Sequence, residues 1–190
     1  MCHKAVKRVF ILLFVLGLLA SDLLAYQAEV ENVSSDKYFQ IVLDEINHAK
    51  SSIRVYMYVV VLFSNYPQSP SFKLVDAVIQ AKKRGVDVRV ILDQSFDQRR
   101  TSPKEKPNQD KKNENAYDIL KKNGVRVYFD DPATTTHAKT VIIDNETVIL
   151  GSSNWTKAAL TWNNETNVLI RSKRFAEEIL ADLKKVKEAS

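Results

Sequence analysis

Between Asp36 and Lys50 the apolar residues Phe39, Val42, Leu43, Ile46 and Ala49 recur every three or four positions, the period of one helix face. That period stops at Ser52. From there to Phe63 the chain is almost unbroken in β-branched and aromatic residues (Ile53, Val55, Tyr56, Tyr58, Val59, Val60), which predicts a strand buried on both faces. Helical spacing returns over Ser71 to Arg84 through Phe72, Leu74, Val75, Val78 and Ile79, and Gly85 stops it. Val86 to Leu92 reads as a second buried strand, Glu114 to Lys122 as a short helix ended by Gly124, and Val125 to Phe129 as a third strand. Alternation of this kind argues for parallel strands layered with helices.

The second half changes style. His137 to Asp144 and Thr147 to Gly151 are predicted strands joined by a tight turn at Asp144-Asn145-Glu146. Trp155 to Trp162 is short, helical or irregular, and Asn167 to Arg171 is one more strand. Phe175 to Val186 closes the chain as a helix with Ile179, Leu180 and Leu183 on its apolar face. The fold class expected is α/β: a mixed, largely parallel β-sheet flanked by helices on both faces, an α/β/α sandwich in one domain. Its 190 residues suit one well-buried core rather than two.

Two segments stand outside this pattern. Residues 1–25 hold Lys4, Lys7 and Arg8 ahead of an apolar run from Val9 to Ala20, then Ser21, Asp22 and Ala25. A basic start, a short apolar run and small residues after it describe a secretory signal, or an uncleaved membrane anchor. The catalytic domain would be residues 26–190, placed outside the cytoplasm in a bacterium, secreted or periplasmic. Inside it, residues 94–115 form a polar loop with two prolines and almost no apolar side chain after Phe96. It is either a solvated loop or a flap that brings Arg99, Arg100, Lys104 and Lys106 to a polyanion.

Composition narrows the partners only slightly. The shares of hydrophobic (45%) and charged (27%) residues are those of a globular protein, so disorder is not the default. A net charge of +5 favours an anionic partner, nucleic acid or a membrane surface. The one cysteine, Cys2, lies in the leader, so the folded part has neither a disulfide nor a thiolate metal site.

The chemistry concentrates after His137. The spacing is His137-x-Lys139-x(4)-Asp144-x(6)-Gly151-Ser152-x-Asn154, followed by Glu165. Side chains at i and i+2 of a strand share a face, so His137 and Lys139 point the same way. A buried lysine needs an anionic partner, and a phosphate oxygen would serve. Gly151 permits close backbone approach, while Ser152 and Asn154 offer donors to anionic oxygens. A neutral imidazole attacks through one nitrogen only if the other holds the proton, and Glu165 is the candidate acceptor that orients His137. Asp144 is the second candidate carboxylate, although aspartate is common in turns for backbone reasons alone. The inventory suits attack on a phosphodiester without metal.

This spacing resembles the motif of the phospholipase D superfamily with every position filled, and Asn164-Glu165-x-Asn167 resembles the acidic element that follows it there. The likeness extends over roughly Asp36 to Val186. Size, single motif and leader are similar to the small bacterial nucleases of the superfamily, of the Nuc type, and to mitochondrial single-motif members related to cardiolipin hydrolase. The resemblance implies two-step hydrolysis through a phosphohistidine on His137, with Lys139, Ser152 and Asn154 on the nonbridging oxygens and no cofactor or metal. It also implies a second histidine to protonate the leaving oxygen. The chain has only His3, His48 and His137. His48-Ala49-Lys50 repeats the letters of the motif, but Val55, Leu62 and Phe63 stand where its aspartate, glycine and serine belong. The missing histidine is therefore expected from a second copy of the chain, in a twofold homodimer. Trp155 and Trp162 are expected either at that interface or as stacking surfaces for bases.

Three functions compete: a sequence-nonspecific endonuclease acting on DNA or RNA, a phospholipase D or cardiolipin hydrolase at a membrane, and a nucleic-acid-binding module that has lost activity. The intact motif argues against the third. The charged 94–115 segment, with no apolar loop visible near the motif, favours the first.

Overall fold

Val55, Val88, Val90, Val141 and Ile149 are buried, and the strands that carry them form the centre of a seven-stranded sheet. The computed structural model describes residues 27–62, 66–94 and 112–186. Along the chain these form β1 (Glu29–Asn32), α1 (Asp36–His48), β2 (Ser52–Met57), α2 (Pro70–Lys83), β3 (Asp87–Leu92), α3 (Lys112–Lys122) and β4 (Arg126–Phe129). Then come β5 (Lys139–Ile143), β6 (Thr147–Gly151), α4 (Lys157–Thr161), β7 (Asn167–Arg171) and α5 (Lys173–Leu183). Across the sheet the order is β1-β7-β6-β5-β2-β3-β4.

Local chemistry sets the helix ends. Pro70 occupies the first turn of α2, where its missing N–H costs nothing, and the Ser69 hydroxyl accepts from Phe72 N. Gly85, at φ +92°, turns the chain out of that helix into β3. Thr156 and Ser172 cap α4 and α5 in the same manner as Ser69. One face of the sheet packs against α1 to α4 through Tyr38, Val42, Ile46, Leu74, Val78, Leu120 and Leu160. The other face carries α5, where Ile142, Val148 and Ala176 meet Phe175, Ile179, Leu180 and Leu183. Each fully buried aliphatic side chain of this kind contributes roughly 1.5–3 kcal/mol, so both layers hold the sheet flat against helices.

The α/β sandwich with helices on both faces is as expected, but the sheet is not largely parallel. Only β2–β3 and β3–β4 are parallel, and the other four pairings are antiparallel. Parallel pairing holds only through β4; β5 then pairs antiparallel with β2, a tight turn reverses the chain into β6, and β7 and β1 follow antiparallel. The long apolar run from Ser52 also divides. Its ladder ends at Met57, and the chain continues extended to pair Val60 with Trp155. β1 was not legible: Glu-Val-Glu-Asn shows no core face, and all four residues are exposed on the sheet edge beside β7. The helix expected from Glu114 begins at Lys112 and so takes the last four residues of the polar loop. Residues 1–26 and 95–111 lie outside the described residues, and with them the leader and the basic flap. Among the described residues no helix is long and apolar enough to cross a membrane.

Candidate active site

β2 and β5 run antiparallel, so the carboxyl end of β2 lies beside the start of β5 (Met57 opposite Lys139). β3 and β4 run parallel to β2, and the end of β6 pairs with the start of β7 (Gly151 opposite Asn167). Tyr58, Asp93, Asp130, His137, Lys139, Ser152, Asn154 and Glu165 therefore collect at one end of the sheet. Ligands bind outside the carboxyl ends of parallel strands in open α/β sheets for the same topological reason.

His137 is exposed just before β5, while Lys139 is buried as the first residue of the strand. Lys139 Nζ lies 3.3 Å from His137 Nε2 and donates to the His137 carbonyl at 2.8 Å. A charged ammonium can only donate, so in a neutral imidazole the Nε2 lone pair faces it and the ring proton sits on Nδ1. Burial holds the Lys139 ammonium below the usual lysine range, opposed by the negative charges of Glu165 and Asp93. Tyr58 supplies the wall: its ring centroid is 4.4 Å from that of His137, and Lys139 Nζ stands 4.8 Å from its centre.

The return strand brings the donors. A Cβ on Gly151 would come within 2.3 Å of Asn167 Oδ1 and of the Thr166 carbonyl, so glycine lets β6 meet β7 closely here. Asn167 fastens the next residue, accepting from Ser153 N at 3.2 Å and donating to Ser153 Oγ at 2.9 Å. Asn154 Oδ1 is buried without a hydrogen-bond partner among the described residues. That oxygen is an unmet acceptor, open to a donor that the described residues do not supply.

Three expectations change. The Ser152 hydroxyl donates to Glu165 Oε2 and its N–H to the Thr166 carbonyl, so both donors intended for phosphate are already occupied. Glu165 takes that hydroxyl and, on Oε1, the Asn163 amide at 3.0 Å, rather than orienting the imidazole. Its charge reaches Lys139 through space instead. Asp144 lies at the far end of β5, about 17 Å along a five-residue strand from Lys139. There its carboxylate accepts from the N–H groups of Lys50 (2.9 Å), Ser51 (2.7 Å) and Ser52 (2.9 Å), and from Ser51 Oγ (2.9 Å). Burial alone would raise this carboxyl, but the Ser52, Ser51 and Lys50 donors outweigh it and hold it below the usual range.

The tryptophans separate as well. Trp155 is buried within the single chain, where its indole N–H faces Tyr38 Oη at 3.4 Å, so it neither stacks on bases nor lines an interface. Burial pushes the Tyr38 phenol up to about 12. Trp162 is exposed. His48 is exposed at the end of α1 with Nδ1 2.8 Å from the Asp44 carbonyl, as its failed spacing requires.

Tyr58, Asp93, Asp130 and Asn113 belong to the site's frame although the motif does not contain them. The Thr136 N–H, next to His137, is held by Asp93 Oδ2 (2.8 Å) and Asp130 Oδ2 (3.0 Å), both on buried side chains. Asn113 accepts from Val60 N and donates to the Tyr58 and Asp93 carbonyls, tying the ends of β2 and β3 to α3. Their signal was position: Asp93 and Asp130 each follow directly on a parallel strand.

Comparison with known proteins agrees with this geometry. The family model described as "Cardiolipin synthase, PLD-like domain" matches residues 42–187. The chain belongs to this phospholipase D-like family. It is 32% identical over 141 residues to "Phospholipase D" of Rickettsia prowazekii, covering 74% of this chain and 58% of that protein. It is 35% identical over 97 residues to "Mitochondrial cardiolipin hydrolase" of Chlamydomonas reinhardtii, covering 51% and 37%. The chain thus spans less than two thirds of the curated relatives it matches. Among solved structures it superposes on the phospholipase D family member Nuc of Salmonella typhimurium with a TM-score of 0.66 and 28% identity, covering 86% of this chain and 99% of that one.

Proposed function

We propose that this chain is a metal-independent phosphodiesterase, a sequence-nonspecific endonuclease for DNA or RNA whose site is completed by a second copy of itself. The observation that carries this reading is His137 Nε2 facing Lys139 Nζ at 3.3 Å, on an exposed end of the sheet that holds no other histidine among the described residues. Nε2 attacks phosphorus and forms a P–N bond while the ester oxygen leaves with a proton from His137 of the partner subunit. That second imidazole then takes a proton from water, whose oxygen displaces Nε2 and frees the phosphate. Lys139 and the Asn154 amide stabilise the charge on the nonbridging oxygens. Ser152 and Glu165 act behind them, keeping a negative charge near Lys139. The superposition on 99% of Nuc supports a domain of this kind. In this reading residues 1–25 take the protein out of the cytoplasm or anchor it at a membrane.

A second reading, hydrolysis of phospholipid, is favoured by one feature. A cleft of about 410 Å³ lined by Thr136, His137, Ala138, Leu183 and Val186 runs along the His137 segment toward α5. An adjoining one of about 260 Å³ is lined by Leu150, Ile179 and Leu183. These clefts put apolar side chains of α5 beside the motif, although Asp130, Asp131 and Lys185 line the first and Lys139 and Asp182 the second. Plasmid DNA, RNA and cardiolipin vesicles assayed together in excess EDTA separate the two. The nuclease reading expects nucleic-acid cleavage that survives chelation and falls by roughly 10³-fold or more in His137→Asn. Turnover of vesicles alone selects the lipid reading, and loss of all activity in EDTA refutes the metal-free mechanism.

A further inference from the structure

Next to the phosphate-binding turn stands a surface that the chemistry above does not use. Trp162 is 65% exposed at the end of α4, and Tyr66 is 44% exposed ahead of α2. Lys157, on the first turn of α4, places its Nζ 5.3 Å from the Trp162 ring and 4.8 Å from the Tyr66 ring. An ammonium set over one face of each of two exposed rings is held by the rings' electron density while its charge stays available to an anion. The cluster is tied to the site at both ends. Lys157 follows Asn154 by three residues, and Asn163, adjacent to Trp162, donates to Glu165 Oε1 at 3.0 Å.

We infer that Trp162, Tyr66 and Lys157 form a stacking platform for unpaired bases, so that the preferred substrate is single-stranded nucleic acid. The inference rests on the nuclease reading. Ring faces bind any base, which agrees with a site that makes no sequence choice, and the lysine meets the phosphate between stacked bases. Bases in a duplex already stack on one another and present only their edges, so duplex gains little from this surface. A membrane is the poorer occupant. Insertion needs a continuous apolar area, whereas Thr161, Asn163 and Asn164 beside Trp162 are exposed and polar. The one other large apolar side chain exposed among the described residues is Val30, on the edge strand.

The test compares single-stranded and duplex oligonucleotides of one sequence. In Trp162→Ala the ratio of kcat/KM, single strand over duplex, falls roughly tenfold, the size expected for one lost base–aromatic contact. Trp162→Phe, which keeps a ring, restores most of it, and a general folding defect would not discriminate in this way. In the His137→Asn protein an oligothymidylate quenches the exposed indole, and adding Trp162→Phe removes the quenching because Trp155 is buried. An unchanged ratio in Trp162→Ala, with the wild type still cleaving DNA, overturns the platform and leaves the nuclease standing. Emission that shifts to the blue with phosphatidylglycerol vesicles, and does not respond to oligothymidylate, assigns the surface to a membrane and overturns it too. A wild type that cleaves no nucleic acid refutes both readings together.

Discussion

Lys139 carries an ammonium into a buried position, and its surroundings decide how long it stays charged as the pH rises. Burial lowers its pKa below the ordinary lysine value of 10.5, against the pull of Glu165 and Asp93. The charged form is the one that holds phosphate, so kcat/KM should fall on an alkaline limb that begins below pH 10.5, where an ordinary lysine would still be protonated. In the profile of kcat, which reports the enzyme with substrate bound, the negative charge of phosphate moves the corresponding limb upward. Glu165→Gln removes a charge that supports the ammonium and shifts it downward. A pH–rate profile of wild type and Glu165→Gln checks the sign, and coincident limbs would remove Glu165 from this role. At this scale the closeness of His137 and Lys139 was readable in the letters, because residues two apart on extended chain share a side, although the strand itself begins at Lys139 rather than His137. The partners of Glu165 were not readable, since Ser152 stands thirteen residues away and only the β6–β7 register brings the two together.

The β5–β6 turn shows how one letter can serve an element rather than a reaction. Asp144 and Asn145 both take φ 54°, the left-handed conformation that a tight type I′ hairpin demands and that Asp and Asn tolerate. The Asp144 carboxylate then collects the N–H groups that open β2, joining the α1–β2 connection to the hairpin. Asp144→Ala strands those donors and should destabilise the fold by about 2 kcal/mol at neutral pH. The folded carboxyl lies below its unfolded value near 3.8, so this contribution is present above that value and is lost as the pH falls through the folded pKa. The gap between wild type and variant therefore narrows in acid. Denaturant melts at neutral and acid pH measure it, while kcat well below the melting point should stay near that of the wild type. A kcat loss of orders of magnitude in a stable Asp144→Ala protein would return the residue to the chemistry. Helices and buried strands were legible because each has its own period. β1 was not, because an edge strand with four exposed residues leaves no apolar trace.

At the scale of the molecule the proposed site is shared. Wild-type and His137→Asn chains, mixed and allowed to exchange, form heterodimers with one imidazole at the site. If both imidazoles are needed, activity follows the square of the wild-type fraction, and a linear dependence would show that each chain works alone. Sequence by itself determined the α/β class, the helices on both faces and the His137–Lys139 pair, since these follow from local periods and fixed spacing. It also showed that the motif's histidine occurs once, with His3 and His48 outside the motif. Tertiary structure decided the rest. Antiparallel pairing of β5 with β2 makes the sheet mixed and brings Tyr58 against the imidazole, and it sets Asp144 against the start of β2, whose N–H groups it accepts. Closure of the core buries Trp155 and leaves Trp162 exposed beside Lys157, a difference between two identical letters that only packing creates.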